Sequence, residues 1–260
     1  MDTVKRGNEI FLFSSSNDLF QFAAKDFYHR AIHAVKEKGI FSVVLSGGNT
    51  PKLFFKQLTE TECYLKNIPW QKIKFFFGDE RYVPADNIES NYHTAYQYLF
   101  SKVSINPKNI YRIPTHFSNP KEAASSYEKK IRDAFQITDP AIIPSFDLIY
   151  LGLGDNAHTA SIMPFCDVAK NALIKKNNTL VTSLFVQEYN QSRITLTPII
   201  INNAHDIIFL VTGESKATAA HNVLEGKMDP LHYPAQFIHA INGKTTWCLD
   251  AAAARKLATR

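Results

Sequence analysis

Short runs of apolar residues alternate along the chain with longer stretches in which apolar positions recur every three or four residues. The runs at 10–13, 41–45 and 73–77 are continuous enough for strands buried on both faces. Each is followed by a stretch of helical period, at 19–35, 51–58 and 91–100. The alternation continues with strands predicted at 110–113, 146–151, 180–186, 193–197, 207–211 and 246–249. Helices are predicted at 122–135 and 214–224, with an alanine-rich closing helix at 250–258. Such repetition predicts an α/β architecture with a largely parallel sheet. No period of 20–50 residues recurs, which argues against a solenoid. The proline-containing segments 106–120 and 138–144 are too short to read as linkers, so residues 1–260 are expected to form a single domain.

At 260 residues and 45% hydrophobic, the chain is long enough to bury a full core. The formal net charge of +5 comes from Lys and Arg scattered among carboxylates, with no basic tract of the kind that holds nucleic acid. An acidic small substrate accounts for the excess as well as nucleic acid does. Cys63, Cys166 and Cys248 lie far apart with no C-x-x-C pair, which indicates neither a disulfide framework nor a cysteine zinc site and suggests a reducing compartment. Residues 1–13 carry no signal-peptide apolar region, and nowhere do 18 apolar residues run together. A soluble cytoplasmic protein without a membrane partner is expected.

In open α/β sheets, ligands bind beyond the carboxyl ends of the strands. The first such end carries Ser46, Gly47, Gly48, Asn49, Thr50 and Pro51. Two glycines let the backbone fold tightly there, Pro51 suits the first turn of the helix that follows, and the free amides suit a phosphate. No G-K-[ST] follows, so this is not a nucleoside triphosphate loop. The second end, after Phe75, Phe76 and Phe77, delivers Asp79, Glu80 and Arg81. Asp79 suits an acid, base or orienting role, and the Arg81 fork suits a phosphate or carboxylate. The competing reading is a structural ion pair of Arg81 with Asp79 or Glu80.

The third end opens into Gly152, Gly154, Asp155, Asn156, Ala157 and His158. Gly152, Gly154 and Ala157 fit the dinucleotide fingerprint, but a histidine follows directly, and Asn177 and Asn178 stand where an acidic residue is expected. His158 reads better as a general base. Arg193 begins a β-like run, and Lys216 opens a helix after the strand at 207–211; both cations are placed to complete an anion pocket with the 46–51 turn. His29 and His33 lack the glutamate of H-E-x-x-H, and no G-x-S-x-G elbow occurs.

Taken together, S-G-G-N-T-P, F-F-G-D-E-R-Y-V-P with S-N-Y at 90–92, L-G-L-G-D-N-A-H-T-A-S-I-M-P, R-I-T-L-T and G-E-S-K-A occur in one order between residues 41 and 234. In this the chain resembles the 6-phosphogluconolactonase family, relatives of the glucosamine-6-phosphate isomerase/deaminases. The resemblance implies a Rossmann-like fold and hydrolysis of 6-phospho-D-glucono-1,5-lactone in the oxidative pentose phosphate pathway. It implies no cofactor and no metal, and a monomer or homodimer. It makes His158 the catalytic base, Arg81, Arg193 and Lys216 the cationic substrate ligands, and the Gly47–Thr50 amides neighbours of the phosphate. The family usually reads D-G-H where this chain has Asn156, Ala157 and His158. Asn156 can still orient the imidazole through its amide oxygen, with Asp79 or Asp155 supplying the missing charge, while Ala157 restricts the backbone relative to glycine. Two alternatives stand beside the lactonase. A deaminase resembles a proton shuttle that uses a carboxylate five residues after the histidine, where this chain has Met163. A non-catalytic sugar-phosphate sensor would bind without hydrolysis.

Overall fold

A computed structural model describes residues 8–174 and 179–258. Asn177 and Asn178, and residues 1–7 of the N-terminal stretch 1–13 considered above, lie outside them. The chain runs β1 (Asn8–Phe13), α1 (Ser16–Lys38), β2 (Phe41–Leu45), α2 (Asn49–Glu60), α3 (Glu62–Asn67), β3 (Ile73–Phe77) and β4 (Asp79–Arg81). It continues with α4 (Asn91–Ala95), α5 (Pro120–Ala134), β5 (Leu148–Leu151), α6 (Asp167–Leu173), β6 (Val181–Val186) and β7 (Gln191–Leu196). It ends with α7 (Pro198–Asn202), β8 (Asp206–Val211), α8 (Ala217–Leu224) and β9 (Lys244–Asp250). The larger sheet has the order β1-β9-β8-β5-β2-β3, and every neighbouring pair is parallel. The smaller one, β4-β7-β6, is antiparallel. This is the helix-flanked, mainly parallel architecture that the alternating pattern predicts.

Local chemistry explains the element ends. The Ser15 hydroxyl accepts the Asp18 amide to start α1, and Gly39, at φ 78°, takes the left-handed conformation that ends it. Every residue of β2 and β5 is buried, which is why these strands read as unbroken apolar runs. On β8 and β9, Phe209 and Trp247 are cross-strand partners whose rings stack at 3.7 Å. β3 is an edge strand, and Tyr127 of α5 serves the unpaired side of its buried end. The buried Tyr127 hydroxyl accepts the Phe77 amide and donates to the Phe77 carbonyl. The next residue, Gly78, donates to the Leu45 carbonyl of β2 and accepts from the Leu196 amide of β7. At this glycine the chain passes from one sheet to the other.

Two expectations fail. Residues 110–113 do not form a strand: Ile110 makes a single bridge to Phe75, and the Tyr111 amide donates to the Phe75 carbonyl. Pro107 and Pro114 bracket the segment and deny it longer pairing. Residues 250–258 form turns rather than a closing helix. Asp250 belongs to β9, and its carboxylate accepts the Gly213 and Ala253 amides, while Ala253, Ala254 and Leu257 pack into the core. Alanine propensity in so short a segment is weaker than these tertiary contacts.

Candidate active site

Because β4 follows β3 directly, Asp79 and Arg81 stand where the two sheets meet. β4 pairs with β7 so that Asp79 lies opposite Thr195 and Arg81 opposite Arg193. Two guanidinium stems therefore rise from facing positions. Arg193 is 8% exposed, and its Nε and that of Arg81 are buried without a protein partner. Burial, and then the charge of Arg81, lower the pKa of Arg193. Its guanidinium lies 5.4 Å from the Tyr189 ring, and Arg81 donates to the Glu89 carbonyl.

No ion pair joins Arg81 to Asp79 or Glu80 among the described residues. Successive strand residues point to opposite faces, so Glu80 turns away from Arg81. The Glu80 carboxylate accepts the Arg81, Asn91 and Tyr92 amides and the Ser90 hydroxyl, while burial pushes its pKa up. Its work is to start α4. Asp79, 7% exposed, accepts Asn91 Nδ2 at 3.1 Å on one oxygen and Ser161 Oγ at 2.6 Å on the other.

His158 leaves the end of β5 in a tight turn. The Gly154 amide donates to the His158 carbonyl at 2.8 Å and the Ala157 amide to the Gly154 carbonyl at 2.9 Å. Ala157 sits at φ 63°, the left-handed region that favours glycine, and its carbonyl accepts from Ala235. Asn156 Oδ1 lies 2.5 Å from His158 Nδ1 and also accepts the His158 amide at 3.2 Å. An amide oxygen can only accept, so Nδ1 carries the hydrogen and Nε2 keeps its lone pair. Burial holds the imidazole below its ordinary pKa; Asp79 opposes this, Lys216 and Arg193 add to it, and Glu188 opposes it again. The ring is neutral at neutral pH.

Asp155 does not face the imidazole as a substitute carboxylate. It pairs with Lys216 at 2.6 Å and accepts Ser215 Oγ at 3.1 Å, and the hydrogen bond from Lys216 lowers its pKa. The 46–50 turn lies against these groups. Ser46, Gly47 and Thr50 are half-buried, Gly48 and Asn49 are exposed, and Gly48 at φ 101° offers no side-chain cap to α2. Thr50 Oγ1 lies 3.2 Å from Thr212 Oγ1, four residues before Lys216, and Gly47 packs against Asn91, which holds Asp79. The turn, the cations and the imidazole thus form one connected group, and no cluster of three or more His, Cys, Asp or Glu among the described residues could hold a metal. Sequence reasoning missed Tyr189, and it quoted Asn91 and Ser161 within motifs without giving either a role.

A profile of the family described as glucosamine-6-phosphate isomerases/6-phosphogluconolactonase matches residues 14–247. The chain belongs to this family. A 6-phosphogluconolactonase from Synechocystis sp. is 37% identical over 228 residues, covering 88% of this chain and 89% of that protein. The solved structure of 6-phosphogluconolactonase from Thermotoga maritima is 30% identical, with a TM-score of 0.77 over 94% of this chain and 99% of that one. A monomeric glucosamine-6-phosphate deaminase shares the fold at 20% identity, with a TM-score of 0.78 over 95% of this chain and 99% of that one. The Synechocystis and Thermotoga lactonases match this chain in sequence as well as in fold or length, at 37% and 30% identity.

Proposed function

We propose that this protein hydrolyses 6-phospho-D-glucono-1,5-lactone to 6-phosphogluconate, the lactone-opening step of the oxidative pentose phosphate pathway, with His158 as general base. One observation supports the residue assignment: Asn156 engages His158 Nδ1 and leaves the Nε2 lone pair free, in a ring on which the charges of Lys216 and of Arg193, whose buried Nε lacks a protein partner, both act. His158 Nε2 takes a proton as water attacks C1, the carbonyl oxygen gains charge, and the C1–ring-oxygen bond breaks as that oxygen receives the proton from the imidazolium. The Gly154, Ala157 and His158 amides are already engaged within the turn, so these three do not supply the donor for that charge. The Gly47–Thr50 amides and the cations Arg81, Arg193 and Lys216 hold the phosphate end.

Met163, buried in the place of a shuttle carboxylate, cannot transfer protons, which disfavours deamination. We place the protein in the cytoplasm, as a monomer or homodimer. Its cysteines are unpaired, and no helix among the described residues is long and apolar enough to cross a membrane. The test is His158→Ala in a lactone hydrolysis assay corrected for spontaneous opening. A loss of about 10² to 10⁴ in rate is expected. Turnover unchanged within about twofold removes the histidine from the mechanism.

A further inference from the structure

The S-N-Y segment at 90–92 has a backbone role and a separate side-chain role. Ser90 Oγ and the amides of Asn91 and Tyr92 all donate to the Glu80 carboxylate, so the start of α4 is held without the Asn91 side chain. That side chain turns the other way. Nδ2 donates to the Asp79 carbonyl at 2.9 Å and to Asp79 Oδ1 at 3.1 Å, while Oδ1 is buried with no partner. Against its other side lies Gly47, where a Cβ would come within 1.8 Å of Asn91 Oδ1. The amide is wedged between the phosphate turn and Asp79, and only a glycine at 47 allows it. An unpaired buried acceptor is a cost that an apolar residue of similar size would avoid, so packing alone does not account for an asparagine here.

The far side of Asp79 is fixed as well. Its Oδ2 accepts Ser161 Oγ at 2.6 Å, and the Ser161 amide in turn donates to Thr195 Oγ1 on β7. With a donor on each oxygen the carboxylate cannot rotate. The charged groups acting on His158 are Asp79 on β4, Arg193 on β7, Glu188 between β6 and β7, and Lys216 before α8, with Asp155 in its own turn. Asp79 is the carboxylate among them that is buried and held rigidly by two donors.

We propose that Asn91 is a positioning residue: its amide sets the spacing between the Gly47 phosphate turn and the Asp79 carboxylate, whose charge acts on the base. This rests on the lactonase reading of the site. When His158 takes the proton from water it becomes a cation, and Asp79 stabilises that cation only while its carboxylate points the right way. Bound phosphate anchors the substrate at the turn, so the same wedge also sets how far C1 stands from Nε2.

The experiment combines steady-state kinetics with a proton NMR titration of His158. Asn91→Ala lowers kcat by about tenfold to a hundredfold with little change in KM. It also moves the His158 titration downward, because Asp79 is no longer held towards the ring while Arg193 and Lys216 remain. Gly47→Ala, which drives a methyl into the Asn91 amide, costs at least about tenfold in kcat/KM alone and less than about threefold in the Asn91→Ala background. Equal costs of Gly47→Ala in both backgrounds overturn the proposal, as does Asn91→Ala with kcat and titration unmoved. Should Asn91→Ala fail to fold, Asn91→Asp keeps the shape and replaces the donor with a second carboxylate. It lowers kcat and raises the His158 titration, and unchanged kcat refutes the role. A wild-type protein inactive on the lactone removes the functional reading alone, because the titration shift in Asn91→Ala still decides whether Asn91 positions Asp79.

Discussion

Gly154→Ala isolates the placement of the imidazole from its chemistry. The backbone at Gly154 is not left-handed, so alanine meets no conformational penalty there, but its Cβ would lie 2.1 Å from His158 Nδ1 and 2.2 Å from Cε1. Restoring an ordinary contact of about 3.5 Å requires the ring to retreat by about 1.4 Å from that 2.1 Å. A misplacement of about 1 Å costs on the order of 10² in rate, or about 2.7 kcal/mol of transition-state stabilisation. The retreat also breaks the 2.5 Å contact with Asn156 that fixes the tautomer. The assay is formation of 6-phosphogluconate from freshly prepared lactone, with a thermal melt to confirm folding. Gly152→Ala is the control, since its Cβ meets nothing within 4 Å and its backbone is likewise not left-handed. The expected result is a drop of about a hundredfold in kcat for Gly154→Ala and near wild-type kcat for Gly152→Ala. A folded Gly154→Ala protein within about threefold of wild type, or an equal loss in both variants, refutes the assignment of His158 as a precisely placed base.

Three further outcomes follow from the charges. Arg193→Ala and Lys216→Ala should each reduce the preference for phosphorylated over unphosphorylated lactone by about tenfold to a hundredfold in kcat/KM, as expected for a charge-assisted contact of about 1.5–3 kcal/mol; equal loss on both substrates contradicts the assignment. Because burial, with Lys216 and Arg193, holds the His158 pKa below its ordinary 6.5, the acid limb of kcat/KM should fall below pH 6.5. The same depression means that the unfolded chain takes up a proton near pH 6.5 before the folded one does, so stability contributed by His158 is lost as pH falls from there towards the lowered value. A limb above pH 7 in wild type would show that the imidazole is not the titrating base.

The strands at 41–45 and 73–77 were legible to the residue because β2 is buried on both faces and β3 carries a phenylalanine run, so periodicity and burial agree. The segment 110–113 misled because an apolar run does not reveal whether a sheet edge will accept it. The closing alanines misled because propensity says nothing of Asp250 capping the turn. His158, Arg81, Arg193 and Lys216 were visible as polar residues at strand ends. Asn91 and Ser161 were not, because their meaning lies in contacts with Gly47 and Asp79, far away in sequence. The competing reading of Arg81 as an ion-pair partner fails for local reasons: side chains alternate along β4, so Glu80 points away, and both Asp79 oxygens are taken by Asn91 and Ser161.

The register that sets Arg81 opposite Arg193 has a thermodynamic consequence. Like charges on facing strand positions repel, and that repulsion is a standing debit against the stability of the smaller sheet. A dianion seated between them turns the debit into attraction, so ligand concentration and melting temperature are linked through RT ln(1 + [L]/Kd). The protein is therefore expected to be sturdiest when its sugar phosphate is plentiful, and the β4–β7 ladder is where a fall in that metabolite would first loosen it.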